Sequence, residues 1–279
     1  MTLGEEAVVV VTGASSGIGR SIAEACLERG ATVYLSSDNA VRLHATWCEL
    51  REKFRHVEHE VCDVRKDQEV NKLISRVLAS SGRIDVLINN AGYATYQPFV
   101  ETSTAEILDV LDVNLGGVMR CTRAALPSMM KRRSGRIVNI GSIGGEIIIT
   151  PNAVYCGAKH GLVAWSRAMR YELSRFGIVV SVVCPGYTRT AFHDHPTFKR
   201  RTISRSAFRK GLTPRRVADS VIRAIRTGKS IVYVPWWHRH LVALSHAAPW
   251  ARAIVWDRLA LRRVDSLYRE IAAETRDLQ

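Results

Sequence analysis

The sequence predicts a doubly wound α/β fold: a parallel sheet of about seven strands, helices on both faces, and a helical extension at the C-terminus. Three observations predict it. Short β-branched runs alternate with amphipathic stretches along most of the 279 residues, the pattern of strands buried on both faces and joined by crossover helices. The first run ends in a glycine-rich turn that opens a helix. Hydrophobic residues make up 47% of the chain, an ordinary globular share that suits one large core and argues against disorder.

Taken in order, Ala7–Thr12 is the first strand, a β-branched run that stops at the glycines. A helix comes next, from Ser16 or Gly17 to Gly30, with Ile18, Ile22, Ala25 and Cys26 on one face and Gly30 as its stop. Further apolar runs of strand length lie at Thr32–Ser36, Arg55–Val61, Asp85–Asn89, Arg136–Gly141, Ile178–Cys184 and Ile231–Val234. Between them, helical stretches lie at Ala40–Glu52, Lys66–Ser80, Thr104–Met130, Ala153–Phe176 and Pro214–Arg226. Two regions leave the alternation. Phe192–Gly211 is polar and basic and reads as a loop or short helix, and Trp236–Gln279 reads as two or three added helices.

The string Val-Thr-Gly-Ala-Ser-Ser-Gly-Ile-Gly, residues 11 to 19, lies between the first strand and the first helix. Gly13, Gly17 and Gly19 allow a tight turn and close backbone approach. The helix start offers free N–H groups and partial positive charge to a pyrophosphate. Strand before, helix after and α/β alternation around it are the context this fingerprint requires. They make the sheet Rossmann-like and the ligand a dinucleotide.

That glycine spacing, together with the motifs downstream of it, resembles the short-chain dehydrogenase/reductase family in its shorter single-domain branch, over about Val8 to Val234. Asn89-Asn90-Ala91-Gly92 looks like the family's N-N-A-G at the end of the fourth strand. Asn114, Ser142, Tyr155 and Lys159 fall where the family carries its catalytic tetrad. Pro185-Gly186 with Thr190 looks like its P-G-x-x-x-T, and Asp63-Val64 like its adenine-contacting pair. The resemblance implies a nicotinamide-dependent oxidoreductase acting on a small carbonyl or alcohol. It implies a cofactor site formed by Gly13, Ser15, Ser16, Gly17, Ile18, Gly19, Asp38, Asp63, Val64, Asn90, Ala91, Gly92, Tyr155, Lys159, Pro185, Gly186, Thr188 and Thr190. It also implies a homodimer or homotetramer, with the long helices Thr104–Met130 and Ala153–Phe176 at the interface. On this reading residues 1–235 form the cofactor-binding and catalytic unit, and 236–279 a helical extension on or beside it.

The residue types suit that chemistry. Tyr155 and Lys159 are spaced i, i+4 and share a helix face. A free tyrosine has a pKa near ~10; a nearby ammonium and the positive charge of an oxidised nicotinamide are expected to lower it. Tyr155 then exchanges a proton with the substrate oxygen, and Ser142 hydrogen-bonds the same oxygen. In the family, the residue at Asn114 holds a water that links the lysine to solvent.

Cofactor preference is read at the end of the second strand, where Asp38 stands in a position that NADPH-using relatives often fill with Arg. Ser16 likewise stands where some of them carry a basic residue. A carboxylate repels a 2′-phosphate, so the sequence favours NAD over NADP. The opposing observations are Ser37, which occupies the usual acidic position of NAD-using relatives, and Arg42, one turn further on.

Other candidates carry less. Cys26, Cys48, Cys62, Cys121, Cys156 and Cys184 form no C-x-x-C pair and fit a reducing compartment. Cys156 reads as core packing. His193-Asp194-His195 belongs to the substrate loop rather than to a metal, and no metal is expected. The run Lys131-Arg132-Arg133 reads as a solvated turn. The acidic N-terminus lacks a secretory pattern and no stretch reaches the ~18 apolar residues of a membrane span, so a cytoplasmic protein is expected. Of the net charge of +14, most lies late: from Lys199 onward 18 Lys and Arg face 6 Asp and Glu. With Trp236, Trp237, Trp250 and Trp256 interleaved among arginines, this end suits peripheral contact with an anionic membrane and an apolar, lipid-like substrate. Packing of the tryptophans on the fold or at a subunit interface is the competing reading. The basic loop Lys199–Lys210 suits an acidic or phosphate-bearing substrate. No nucleic-acid reading motif accompanies the charge, so no nucleic acid is expected. A dinucleotide-binding scaffold or membrane-surface interaction protein on the same fold remains the alternative to an enzyme, and the intact tetrad speaks against it.

Overall fold

In a computed structural model of the chain, residues 3–194, 211–247 and isolated positions between 257 and 269 are described. Seven strands form one parallel sheet in the order β3-β2-β1-β4-β5-β6-β7. They are β1 (Val8–Thr12), β2 (Thr32–Ser37), β3 (Val57–Val61), β4 (Val86–Asn89), β5 (Gly135–Ile140), β6 (Ile178–Pro185) and β7 (Ile231–Val234). Each expected strand is present. The third is shorter than expected and begins at Val57 rather than Arg55.

The main helices are α1 (Gly17–Leu27), α2 (Ala40–Arg51), α3 (Asp67–Ser81), α4 (Thr104–Leu111), α5 (Gly117–Arg132), α6 (Ala153–Ser174), α7 (Pro214–Thr227) and α8 (His238–Ala247). The strand side chains alternate between two cores, as a period of two requires. Val9, Val11, Val33 and Leu35 pack with α1, α2 and α7 on one face. Val8, Val10, Leu87 and Ile137 pack with α3, α5 and α6 on the other. Each fully buried Val or Ile contributes about 1.5–3 kcal/mol.

One expected element is divided. The stretch Thr104–Met130 is not a single helix: the five residues Asp112–Gly116 form a π-helical segment between α4 and α5. The apolar periodicity runs on through the change of pitch, which is why the sequence reads as continuous. Gly117 comes just after the break and lies against Val64; a Cβ there would be 2.5 Å from a Val64 methyl. Widened turns of this kind often lie at functional sites, and Asn114 sits in this one.

The expected solvated turn at 131–133 is also more structured than its charge suggests. Arg132 donates to the Ile84 carbonyl at 2.8 Å and to Asp85 at 3.1 Å, and Arg133 ends α5 with a positive φ. Of the C-terminal extension, α8 is described. Trp250, Trp256, His195 and the basic loop Lys199–Lys210 lie outside the described residues.

Candidate active site

The C-terminal ends of β1, β4, β5 and β6 converge on one crevice, where the strand order reverses beside β1, the usual ligand position in such sheets. The first wall is the glycine-rich turn. Gly13 and Gly17 have φ of 63° and 55°, values at which a side chain would be strained. At Gly19 the constraint is space: a Cβ would collide with the Gly13 carbonyl oxygen and stand 2.5 Å from Asn90 Nδ2. Ser16 precedes α1 without a side-chain cap, and the first turn of α1 holds no acidic residue. By contrast, α4 begins with a full capping box from Ser103 and Glu106. The α1 start is thus left open to an anion.

The second wall is Asn89–Gly92. Asn90 Nδ2 donates to the Thr12 and Gly13 carbonyls at 3.0 Å each. Thr12 Oγ1 accepts from the Asn90 and Ala91 amides at 3.0 and 3.1 Å. Thr12, second in the glycine-rich string but assigned no role from the sequence, holds the two walls together. Behind them runs a buried polar chain that periodicity also conceals. Asn89 donates to Asn139 at 2.8 Å, Asn139 to Ser166 at 2.8 Å, and Ser166 to the Leu162 carbonyl at 2.6 Å. Thr190 reaches the same place from the chain after β6: a Cβ on Gly17 would lie 3.1 Å from its methyl. Thr188 is buried, with its hydroxyl donating to the Gly186 carbonyl at 3.0 Å.

The rim near β2 is polar. Ser15 and Ser37 hydroxyls lie 3.0 Å apart, and Ser37 Oγ is 3.3 Å from Asp38 Oδ1. Ser37 is buried while Asp38 and Arg42 are exposed. Across the crevice Val64 is buried, and Asp63 is committed to Arg65, whose Nε donates to both its oxygens at 2.9 and 3.1 Å. Burial pushes the Asp63 carboxyl up, but the Arg65 hydrogen bonds outweigh it and hold the pKa below the usual range.

Ser142, Tyr155, Lys159 and Asn114 meet at the floor. Ser142 lies just after β5 and its hydroxyl accepts from the Gly144 amide at 3.0 Å. The Ser142 hydroxyl is near enough to Tyr155 to favour its phenolate. Lys159, one turn along α6, donates to the Ile140 carbonyl at 3.0 Å, with Nζ 5.7 Å from the centre of the Tyr155 ring. Asn114 is fully buried; its Nδ2 donates to the Tyr93 and Val110 carbonyls at 2.8 and 2.9 Å. Among the described residues its Oδ1 has no partner. Gly92 sits between: a Cβ there would be 2.6 Å from Asn114 Oδ1 and 3.5 Å from Lys159 Nζ.

Burial dominates the electrostatics of the free protein. It pushes the Tyr155 phenol up to about 12, with the Ser142 hydrogen bond opposing, and Lys159 down to about 8. The expected lowering of the tyrosine rests on the lysine together with an oxidised nicotinamide; in the protein alone, desolvation raises it. The Lys159 shift has a consequence for stability. Below pH 8 both folded and unfolded chains carry its proton, and the folded state bears the full cost of a buried ammonium. Between pH 8 and 10.5 the unfolded chain binds more protons, so stability rises with pH. At about 1.4 kcal/mol per pKa unit, we expect the stability advantage of Lys159→Met over wild type to fall by about 2–3 kcal/mol between pH 7 and pH 10 in urea unfolding. A difference independent of pH would contradict the shift.

The remaining candidates stay outside the site's chemistry. Cys156 is buried and its Sγ lies 3.4 Å from both the amide and the carbonyl of Ile149, a packing role as expected. Among the described residues no group of three or more His, Cys, Asp or Glu could hold a metal, and no helix is long and apolar enough to cross a membrane. Trp236 and Trp237 are exposed, with the Arg239 guanidinium 5.2 Å over the Trp236 ring.

Comparison with known proteins decides the family. The model of the short chain dehydrogenase family matches residues 7–199. The chain belongs to that family. As a short-chain dehydrogenase it is an NAD(P)-dependent oxidoreductase of CH–OH or carbonyl groups. It is 38% identical to the ketoacyl reductase HetN of Nostoc over 226 residues, covering 81% of this chain and 77% of that protein. It is 34% identical to dehydrogenase/reductase SDR family member 7B of Xenopus tropicalis over 230 residues, covering 79% and 74%. Among solved structures, a Burkholderia phymatum short-chain dehydrogenase in complex with NAD superimposes with a TM-score of 0.81 at 26% identity, covering 89% of this chain and 95% of that one. A variant of actinorhodin polyketide ketoreductase with NADPH gives 0.77 at 33% identity, covering 85% and 99%. Relatives with either nicotinamide thus share the fold.

Proposed function

We propose that the protein reduces or oxidises an apolar carbonyl/alcohol pair using NAD, with Tyr155 as the proton donor and acceptor. The observation that carries this reading is the meeting of Ser142, Tyr155, Lys159 and Asn114 beside an uncapped, glycine-lined helix start. The tight glycine turn from Gly13 to Gly19 and the uncapped α1 start fit a dinucleotide pyrophosphate. Gly13, Ser15, Ser16, Gly17, Ile18, Gly19 and Thr190 would hold it, with Val64 and Asp63 at the adenine end and Asn90, Ala91, Gly92, Pro185, Gly186 and Thr188 toward the nicotinamide. When bound, the nicotinamide supplies or accepts the hydride. Tyr155 gives its phenolic proton to the substrate oxygen in reduction and takes it back in oxidation. Ser142 holds that oxygen by a hydrogen bond. Lys159 steadies the phenolate, and the free Asn114 Oδ1 fits a water linking Lys159 to solvent.

The apolar surroundings of the hydroxyl support an apolar substrate. Tyr155 packs with Ala94, Tyr96 and Phe192, and the Phe192 ring stands edge-on to it at 5.9 Å. The ketoacyl reductase relatives agree with an acyl-chain substrate. The test is a screen of NADH and NADPH oxidation with β-ketoacyl thioesters, steroid ketones and small ketones; we expect turnover with the acyl substrates, and turnover confined to small polar ketones would refute the apolar reading.

The polar rim at Ser15, Ser37 and Asp38 supports NAD. A hydroxyl pair beside a carboxylate suits a ribose diol, and Arg42 lies at the exposed edge. We expect tighter binding of NAD than of NADP by tryptophan fluorescence, and Asp38→Arg to shift the ratio toward NADP by at least about tenfold, the effect of ~1.4 kcal/mol. Tighter NADP binding by the wild type would overturn the preference.

We further propose a homo-oligomer. Leu108 on α4 and Tyr171 on α6 are exposed apolar groups on the two helices expected to pair. Light scattering at micromolar concentration should give at least the dimer mass; a monomer would contradict it.

A further inference from the structure

We propose that Glu146 is a positioning residue of the active site: it holds the Ser142 turn against the helix that carries Tyr155 and Lys159, and joins both to α8. The proposal rests on the catalytic roles proposed for Ser142, Tyr155 and Lys159.

Glu146 closes the short turn that Ser142 opens. The Gly145 amide donates to the Ser142 carbonyl at 2.9 Å and the Glu146 amide to the Ile143 carbonyl at 3.0 Å. The side chain then turns inward and is 4% exposed. Two donors and a histidine, from three other elements, surround it. Tyr233, on the edge strand β7, donates to Oε1 at 3.1 Å. Arg167, on α6 about two turns beyond Lys159, donates to the same oxygen at 3.4 Å. His246, near the end of α8, has Nε2 at 3.8 Å from Oε2, an ion pair when protonated.

A carboxylate is a poor way to fill a buried space. Its desolvation is costly, and an apolar residue of similar size often serves stability as well. What it adds is direction, because its oxygens fix donors along defined lines. Here those lines set the distance between the Ser142 turn and α6. The spacing is already tight: a Cβ on Gly145 would lie 2.7 Å from the Lys159 carbonyl oxygen. A small retreat of the turn therefore separates Ser142 from the Tyr155 hydroxyl. The other end of α8 bears on the site as well, since a Cβ on Gly186 would fall 2.5 Å from His238 Cε1. One helix of the C-terminal extension thus braces both the Ser142 turn and the Pro185-Gly186 bend.

The experiment compares wild type with Glu146→Ala, the isosteric Glu146→Gln and the exchanged pair E146R/R167E, in the full-length protein. Two readouts are used. Amide hydrogen exchange by mass spectrometry should show about tenfold faster exchange in the peptide spanning residues 141–149 of Glu146→Ala, with α1 unchanged, as for loss of a local restraint. Turnover, normalised to cofactor-binding sites, should show kcat lowered about tenfold with KM and cofactor affinity within about twofold, because misplacement near the chemistry acts on the transition state. Glu146→Gln, which keeps the acceptor but not the charge, should lie between. The exchanged pair should recover kcat to within about threefold of wild type. Unchanged exchange in 141–149, or an unchanged kcat per binding site in Glu146→Ala, would overturn the proposal. So would no recovery in an exchanged pair that binds cofactor normally. A wild type that turns over no carbonyl refutes the oxidoreductase reading instead, and the exchange measurement still decides the brace.

Discussion

Tyr155→Phe should lower kcat by about 10²–10⁴-fold, the usual worth of a positioned acid–base group, while cofactor affinity stays within about twofold. The substitution removes one oxygen and leaves the ring, which packs with Ala94, Tyr96 and Phe192, so the cleft keeps its shape. What is lost is the proton source and the hydroxyl beside Ser142. Both act where charge develops on the substrate oxygen, so kcat and kcat/KM should fall together. The cofactor cradle lies on the other side of the crevice, around Gly13 to Gly19. Steady-state kinetics with any active substrate, together with a fluorescence titration of cofactor, checks both halves. Wild-type turnover would remove Tyr155 from the chemistry. Loss of cofactor binding in proportion to activity would make its role structural.

Gly19→Ala should weaken cofactor binding by at least about 100-fold, equivalent to ~2.8 kcal/mol. The added methyl would overlap the Gly13 carbonyl oxygen and crowd Asn90 Nδ2. The first is backbone, and the second is fixed by two hydrogen bonds to the same turn. Neither can give way cheaply, so the turn must shift and carry with it the amides proposed to face the pyrophosphate. Gly157→Ala is the matching control, because a Cβ there meets nothing within 4 Å and alanine favours the helix. It should bind cofactor as the wild type does. Wild-type affinity in Gly19→Ala would show that the cofactor does not rest on this turn.

The parts legible in the sequence are those encoded locally. The Val8–Thr12 strand announces itself by an unbroken β-branched run, and Tyr155 and Lys159 meet because i, i+4 on any helix must. The parts that are not legible depend on distant partners or on backbone pitch. The π-helical turn at Asp112–Gly116 leaves the apolar spacing nearly unchanged, so the sequence places Asn114 within one long helix. Thr12 stands in the glycine-rich string, but its role appears only when Asn90 and Ala91 arrive to share its hydroxyl. Glu146 reads as a loop residue, because Arg167, Tyr233 and His246 come to it from remote parts of the chain. Burial raises the Tyr155 phenol, a contribution that helix spacing does not reveal: spacing shows a neighbouring charge, whereas desolvation depends on everything packed around the pair.

The most direct measurement tracks the transferred hydrogen. NADH or NADPH carrying deuterium on the transferable position of the nicotinamide is incubated with the protein and a β-ketoacyl thioester, and the product is characterised by mass spectrometry and NMR. The account predicts one deuterium on the carbinol carbon of the product, and none when Tyr155→Phe replaces the wild type over the same interval. Absence of label on that carbon while the wild type consumes the cofactor, or equal labelling by Tyr155→Phe, would contradict it.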